Sequence, residues 1–96
     1  MAIVISTRKL APGDFADWDS RFASGASARR GAGCRSVRRF RSVDDPDEVV
    51  VIFDWDTHEH ARRFIENNVR QLALNNPDAP PQMWTVYVDE LAALES

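Results

Sequence analysis

Between Glu48 and Ala61 an apolar run, Val49-Val50-Val51-Ile52-Phe53, passes through Asp54 and Trp55 straight into a helix start signal. Side chains of an extended chain alternate, so Val49, Val51, Phe53 and Trp55 share one face and Val50 and Ile52 share the other. A strand that is apolar on both faces must be covered by protein on both, which makes it a central strand of a sheet. Asp56 or Thr57 is placed to cap the helix that follows, by accepting a hydrogen bond from an otherwise unpaired backbone N–H. Glu59 then sits in the first turn, where the helix dipole favours a negative charge.

Around this unit the rest of the chain falls into order. Ile3 to Leu10 reads as a first strand near the middle of the sheet, with Ile3, Ile5 and Thr7 on one side and Val4, Ser6 and Arg8 on the other. After the break at Ala11-Pro12-Gly13-Asp14, the residues Phe15, Trp18, Phe22 and Ala26 recur at helical steps and predict one amphipathic helix. Asp14, Asp17 and Asp19 near its start and Arg29 and Arg30 near its end suit the dipole, and Gly31 and Gly33 supply the stop.

Cys34 to Val43 alternates as a second strand, with Val37 and Val43 opposed to Phe40, and Asp44-Asp45-Pro46-Asp47 turns it back as a hairpin. A turn centred near Pro46 sets Phe40 across from Val51 or Ile52, and Arg38 near Phe53 or Asp54, with an Arg38–Asp54 pair expected. The second helix begins near His58, buries Ala61, Phe64, Ile65, Val69 and Leu72, and has a candidate bend at Asn67-Asn68. It ends at Asn75-Asn76-Pro77. A proline-rich turn over residues 77–81 leads to a last strand from Met83 to Val88, and Leu91 to Leu94 form a short tail.

The 96 residues make one domain, 1–96, and a chain this short buries only about two-thirds of its unfolded surface. An apolar share of 44% then leaves surface for a partner subunit. The apolar start from Met1 to Ile5 lacks a basic region and is far too short to span a membrane or to act as a signal peptide. A soluble, cytoplasmic protein is expected. Cys34 is the one cysteine, which rules out an internal disulfide and a cysteine-based metal site within one chain. The net charge of −3 disfavours nucleic acid as a partner, although nine of the twelve cationic residues lie between Arg29 and Arg70. Carboxylates from Asp44 to Glu66 are interleaved with them, so surface pairing is the expected use of these charges.

The order strand, helix, strand, strand, helix, strand specifies an α+β fold: a ferredoxin-like βαββαβ unit with a four-stranded antiparallel sheet and both helices on one face. The other face is then bare. A second copy of the same sheet packed across a two-fold axis is the simplest cover, so a homodimer through the sheet face is expected.

With the passage from Val49 through Trp55 and Thr57 to Ala61 added to this order, residues 2 to 90 resemble the dimeric α+β barrel proteins. The particular resemblance is to the antibiotic biosynthesis monooxygenase family, with its apolar strand ending in Trp, a Ser/Thr cap, an acidic residue and Ala. The resemblance implies a ligand held between sheet and helices of each subunit, a small electron-rich aromatic such as an anthrone or quinol, and oxygen chemistry without metal or other cofactor. Such a site needs an aromatic cavity and one or two groups that take a proton and stabilise an anion.

Trp18, Phe22, Phe53, Trp55, Phe64 and Trp84 are the candidate walls. Thr7, Arg38, His60 and Tyr87 are the candidate polar partners, with His60, Arg38 or Tyr87 as the proton-handling or anion-binding group. Spacing argues against metal: His58 and His60 are two residues apart and point away from each other on a helix, and no His-Glu-x-x-His run is present. The haem-degrading relatives implied by the same resemblance use an asparagine late in strand one and a histidine in the second helix. Here those positions fall near Thr7 and Leu74, so the axial ligand is missing. Two other readings stay open. A polyketide cyclase or isomerase would use the same cavity without oxygen, and a non-catalytic assembly module would use the arginine-rich second strand as its partner-facing edge.

Overall fold

A computed structural model describes residues 1–75, 78 and 82–91 of the chain. Its elements are β1 (Ala2–Lys9), α1 (Phe15–Ser24), α2 (Ala26–Gly31), β2 (Cys34–Arg41), β3 (Glu48–Trp55), α3 (His58–Asn75) and β4 (Met83–Tyr87). The strands form one antiparallel sheet in the order β2-β3-β1-β4, the ferredoxin-like arrangement. The apolar run of β3 and the alternating β1 hold its two central positions. Among the described residues no helix is long and apolar enough to cross a membrane. The expected turn over 77–81, apart from Asp78, and the tail beyond Leu91 lie outside the described residues.

Cross-strand register sorts the side chains by face, because directly opposed residues of antiparallel strands point the same way. Val4 is opposite both Phe53 and Val86, Ser6 is opposite Val51 and Trp84, Val37 is opposite Phe53, and Arg8 is opposite Val49. These residues lie under the helices. Phe53 meets Phe22 of α1 and Phe64 of α3 at ring separations of 6.0 and 5.1 Å, so both long helices cover this face. Val4, Val49, Val51, Phe53 and Trp55 are buried here. The opposite face carries Ile3, Ile5, Val50 and Ile52, half-buried, with Phe40, Met83 and Tyr87 exposed, and no element among the described residues covers it.

The hairpin differs from the expected register. Phe40 is opposite Val50 and Arg38 opposite Ile52, so the turn is centred on Asp45 and not on Pro46. The Ser42 side chain sets it: its Oγ accepts the backbone N–H groups of Asp44 and Asp45, both at 3.2 Å, while the Ser42 N–H donates to the Glu48 carbonyl. The expected Arg38–Asp54 pair is not formed, and Arg38 lies 5.1 Å from the Phe40 ring centroid instead.

The single helix expected after Pro12 is two helices, broken at Gly25. Arg29 reaches back along the chain, donating from Nη2 to the Phe22 carbonyl at 2.7 Å with its guanidinium 4.0 Å from the Phe22 ring centroid. That side chain occupies a carbonyl that a continuing helix would use, and a Cβ at Gly25 would stand 2.7 Å from Arg29 Nη1. Conversely, α3 runs unbroken through Asn67-Asn68, with Asn68 Nδ2 donating to the Phe64 carbonyl. Its start is capped by Thr57, whose Oγ1 accepts the His60 N–H at 3.1 Å. The helix leaves the sheet towards its end: Ala61 is buried and Phe64 and Ile65 half-buried, but Val69, expected on the buried side, is exposed.

Candidate active site

Between the helix-covered sheet face and α1 lies a cavity of about 270 Å³. Its walls come from four elements in the pattern their periods dictate. Trp18 and Phe22 are four residues apart on α1, Val49, Val51 and Phe53 alternate along β3, Phe64 faces in from α3, and Trp84 closes the side from β4. The rings interlock, with Trp18 to Phe22 at 5.4 Å, Phe53 to Trp84 at 6.2 Å and Phe64 to Trp84 at 5.9 Å. Five of the six aromatic walls read from the sequence are therefore brought together.

The sixth, Trp55, stands behind them. It is wholly buried, its ring is 4.9 Å from Phe64, and its indole N–H has no partner, so it is core beneath the cavity and not part of the lining. Three of the four polar candidates lie elsewhere. Thr7 is opposite Val50, Arg38 opposite Ile52 and Tyr87 opposite Ile3, which puts all three on the bare sheet face.

The polar groups that do line the cavity are Ser6, Arg8, Arg21, Arg29, Asn68 and Gln82. Ser6 Oγ, buried in mid-strand, accepts a hydrogen bond from Gln82 Nε2 at 2.7 Å. Among the described residues no carboxylate lines the space. Burial lowers the Arg8 pKa, the Arg21 charge lowers it further, and Asp14 acts in the opposite sense. Arg29 is likewise lowered, chiefly by burial, and its Nε is buried without a partner. The sequence held a signal for these residues: Arg8 shares the side of Val4 and Ser6, and Arg21 sits on the Trp18–Phe22 stripe.

The fourth polar candidate, His60, opens on a neighbouring cavity of about 380 Å³ bordered by Arg30, Gly33, Asp56, Arg63, Phe64 and Asn67. His60 Nδ1 is 2.8 Å from Asp56 Oδ1, and this hydrogen bond is the main cause that lowers the Asp56 pKa. A carboxylate on Nδ1 fixes that nitrogen as the donor, so that in the neutral imidazole Nε2 is the acceptor. Asp56, considered above only as a cap, is thus the orienting partner of the imidazole. Gly33 makes room for the pair: its φ is +113°, and an added Cβ would stand 2.8 Å from His60 Nδ1. Phe64 borders both cavities and separates His60 from the aromatic one. His58 lies outside, accepting at Nε2 from Arg62 Nε. Among the described residues no three His, Cys, Asp or Glu side chains form a group able to hold a metal ion. Leu74, near which the resemblance would place the histidine of the haem-degrading relatives, is exposed.

A ferredoxin-like sheet with a ring-walled cavity beneath its helices defines a class of small α+β ligand-pocket folds. Within that class the sequence profile of the antibiotic biosynthesis monooxygenases matches residues 1–71, and the chain belongs to that family. Solved structures share the fold. A candidate antibiotic biosynthesis monooxygenase from Bordetella bronchiseptica is 19% identical with a TM-score of 0.74, over 94% of this chain and 97% of its own. A second candidate, from Deinococcus radiodurans, is 17% identical with a TM-score of 0.73, over 100% and 99% of the two chains. A variant of MhuD with two manganese protoporphyrin IX molecules per active site is 16% identical with a TM-score of 0.69, over the whole of both chains. No curated protein matches the sequence.

Proposed function

We propose that this protein is a homodimeric, cofactor-independent monooxygenase that acts in the cytoplasm on a polyketide-like aromatic of the anthrone or quinol class. The observation that supports this most is the cavity between sheet and helices, walled by Trp18, Phe22, Phe53, Phe64 and Trp84 and supplied, among the described residues, with cationic but no acidic side chains. Flat aromatic walls take up a fused-ring ligand and exclude water, and fixed positive charge favours the anionic form of the substrate.

In the proposed reaction on an anthrone a base removes a proton from the activated methylene and the carbanion passes one electron to O2. Recombination forms a C–O bond as a hydroperoxide, and loss of water leaves a carbonyl. One CH2 group and one O2 give one C=O and one water. His60 is the proposed base, because Asp56 holds Nδ1 as the donor and leaves Nε2 free to accept. Phe64 borders both cavities, so in this proposal its ring has to turn for the imidazole to reach the substrate. Thr7, Arg38 and Tyr87 are assigned to the dimer face, where a second sheet would cover Ile3, Ile5, Val50 and Ile52.

The assembly-module reading has less support, because Arg39 and Arg41 of the β2 edge are engaged within the chain. Arg39 pairs with Asp19, and Arg41 donates to the Pro46 carbonyl and lies 3.9 Å from the Phe15 ring centroid. Oxygen consumption with a panel of anthrones and quinols, without added metal or flavin, tests the proposal. Uptake with a matching quinone product is expected. Turnover of the panel without oxygen uptake would replace the monooxygenase with a cyclase or isomerase.

A further inference from the structure

We propose that the cavity ligand is an aromatic anion whose carboxylate is held between Arg8 and Arg21. The proposal rests on the reading of this cavity as the ligand site and adds the charge class of the ligand. Arg8 is the third residue of the Val4–Ser6–Arg8 row and points under the helices opposite Val49. Arg21 is one helical turn beyond Trp18 on α1, and both arginines line the same concavity.

Their surroundings differ from those of the other arginines near α1. Arg39 has Asp19, Arg41 has the Pro46 carbonyl and Arg29 has the Phe22 carbonyl. Among the described residues Arg8 and Arg21 form no ion pair, and Arg21 makes only a long contact of 3.4 Å to the Asp17 carbonyl. Two like charges facing one half-buried space repel each other, and burial raises that cost. The Arg8 pKa reflects both effects, with Arg21 outweighing the opposing Asp14. Arg29 adds a third charge to the same wall, and its Nε is buried without a partner. A carboxylate would meet the planar guanidinium forks with charge-assisted hydrogen bonds, while the fused rings behind it stack on Phe22, Phe53 and Trp84. A neutral ligand of the same shape would leave the two cations facing each other.

The test is calorimetric titration of the full chain with anthracene-9-carboxylate and with its uncharged isostere anthracene-9-carboxamide, at low and at physiological salt. The carboxylate is expected to bind roughly ten- to a hundred-fold more tightly, with an affinity that falls as salt rises. In R8Q/R21Q the preference should shrink to about three-fold or less, and R8K/R21K should keep part of it. Equal affinities for the two probes, binding of neither, or an undiminished preference in folded R8Q/R21Q would overturn the proposal. Should R8Q/R21Q fail to fold, the wild-type salt series decides, and a carboxylate affinity independent of salt would overturn it. A clear preference for the carboxylate with no oxygen uptake on any anthrone would leave this proposal standing and remove the monooxygenase.

Discussion

Replacing Gly33 with alanine should destabilise the protein, and replacing Gly31, two residues earlier, should not. At Gly33 the backbone has φ +113°, a region L side chains rarely adopt, and forcing one into it costs about 1–2 kcal/mol. The new Cβ would also stand 2.8 Å from His60 Nδ1 and 2.9 Å from Asp56 Cγ, with Asp56 Oδ1 closer still. Backing away is difficult, because the Gly33 carbonyl accepts the Asp56 N–H at 3.0 Å and ties the two segments together. At Gly31, the last residue of α2, nothing lies within 4 Å of the added Cβ, and alanine gains about 0.4–1 kcal/mol from the unfolded state. In a domain of this size 1 kcal/mol moves Tm by roughly 4–8 °C. Thermal melts should therefore place G33A about 5–15 °C below the wild type and G31A at or a few degrees above it. A G33A melt at or above that of the wild type would refute the steric reasoning and the placement of His60 and Asp56 against this turn.

Four further outcomes follow from the packing and the charges. Phe53→Ala removes a ring that is 2% exposed and contacts three other rings, and should cost about 3–5 kcal/mol in denaturant melts. Ile52→Lys puts a charge in the middle of the bare face, and light scattering should show a smaller particle with unchanged far-UV circular dichroism. The Asp56 pKa is lower in the folded state than in the unfolded chain, so its contribution is present above the ordinary carboxylate range and is lost as pH falls through the folded value. Asp56→Asn should accordingly melt below the wild type at pH 6, and the gap should close in strong acid. Burial raises the Cys34 pKa despite the nearby Arg29, so iodoacetamide at pH 7.5 should leave Cys34 unmodified until the protein is unfolded.

The sheet was legible in the sequence because β3 announces itself. A short run that is apolar at both odd and even positions and rich in β-branched residues reads as a covered strand, and Thr57 marks the helix after it. Side-chain reach across many residues was not legible. The break at Gly25 depends on Arg29 bonding a carbonyl seven residues back, and the hairpin register depends on the Ser42 hydroxyl. The aromatic walls could be collected from periodicity alone. Their polar partners could not, because alternation separates Thr7 from Ser6 and Arg8 without saying which side the helices cover. That choice is made by Phe22 and Phe64 meeting Phe53, a tertiary contact. The sequence places Arg8 beside Val4 and Ser6 and Arg21 beside the Trp18–Phe22 stripe, but only the fold brings the two to one cavity.

A crystal structure of the protein soaked with anthracene-9-carboxylate would test the placement of the site most directly. The rings are expected among Phe22, Phe53 and Trp84, with the carboxylate towards Arg8 and Arg21. Density for the ligand on the bare face beside Ile5 and Tyr87, with the ring-walled cavity unchanged, would contradict it.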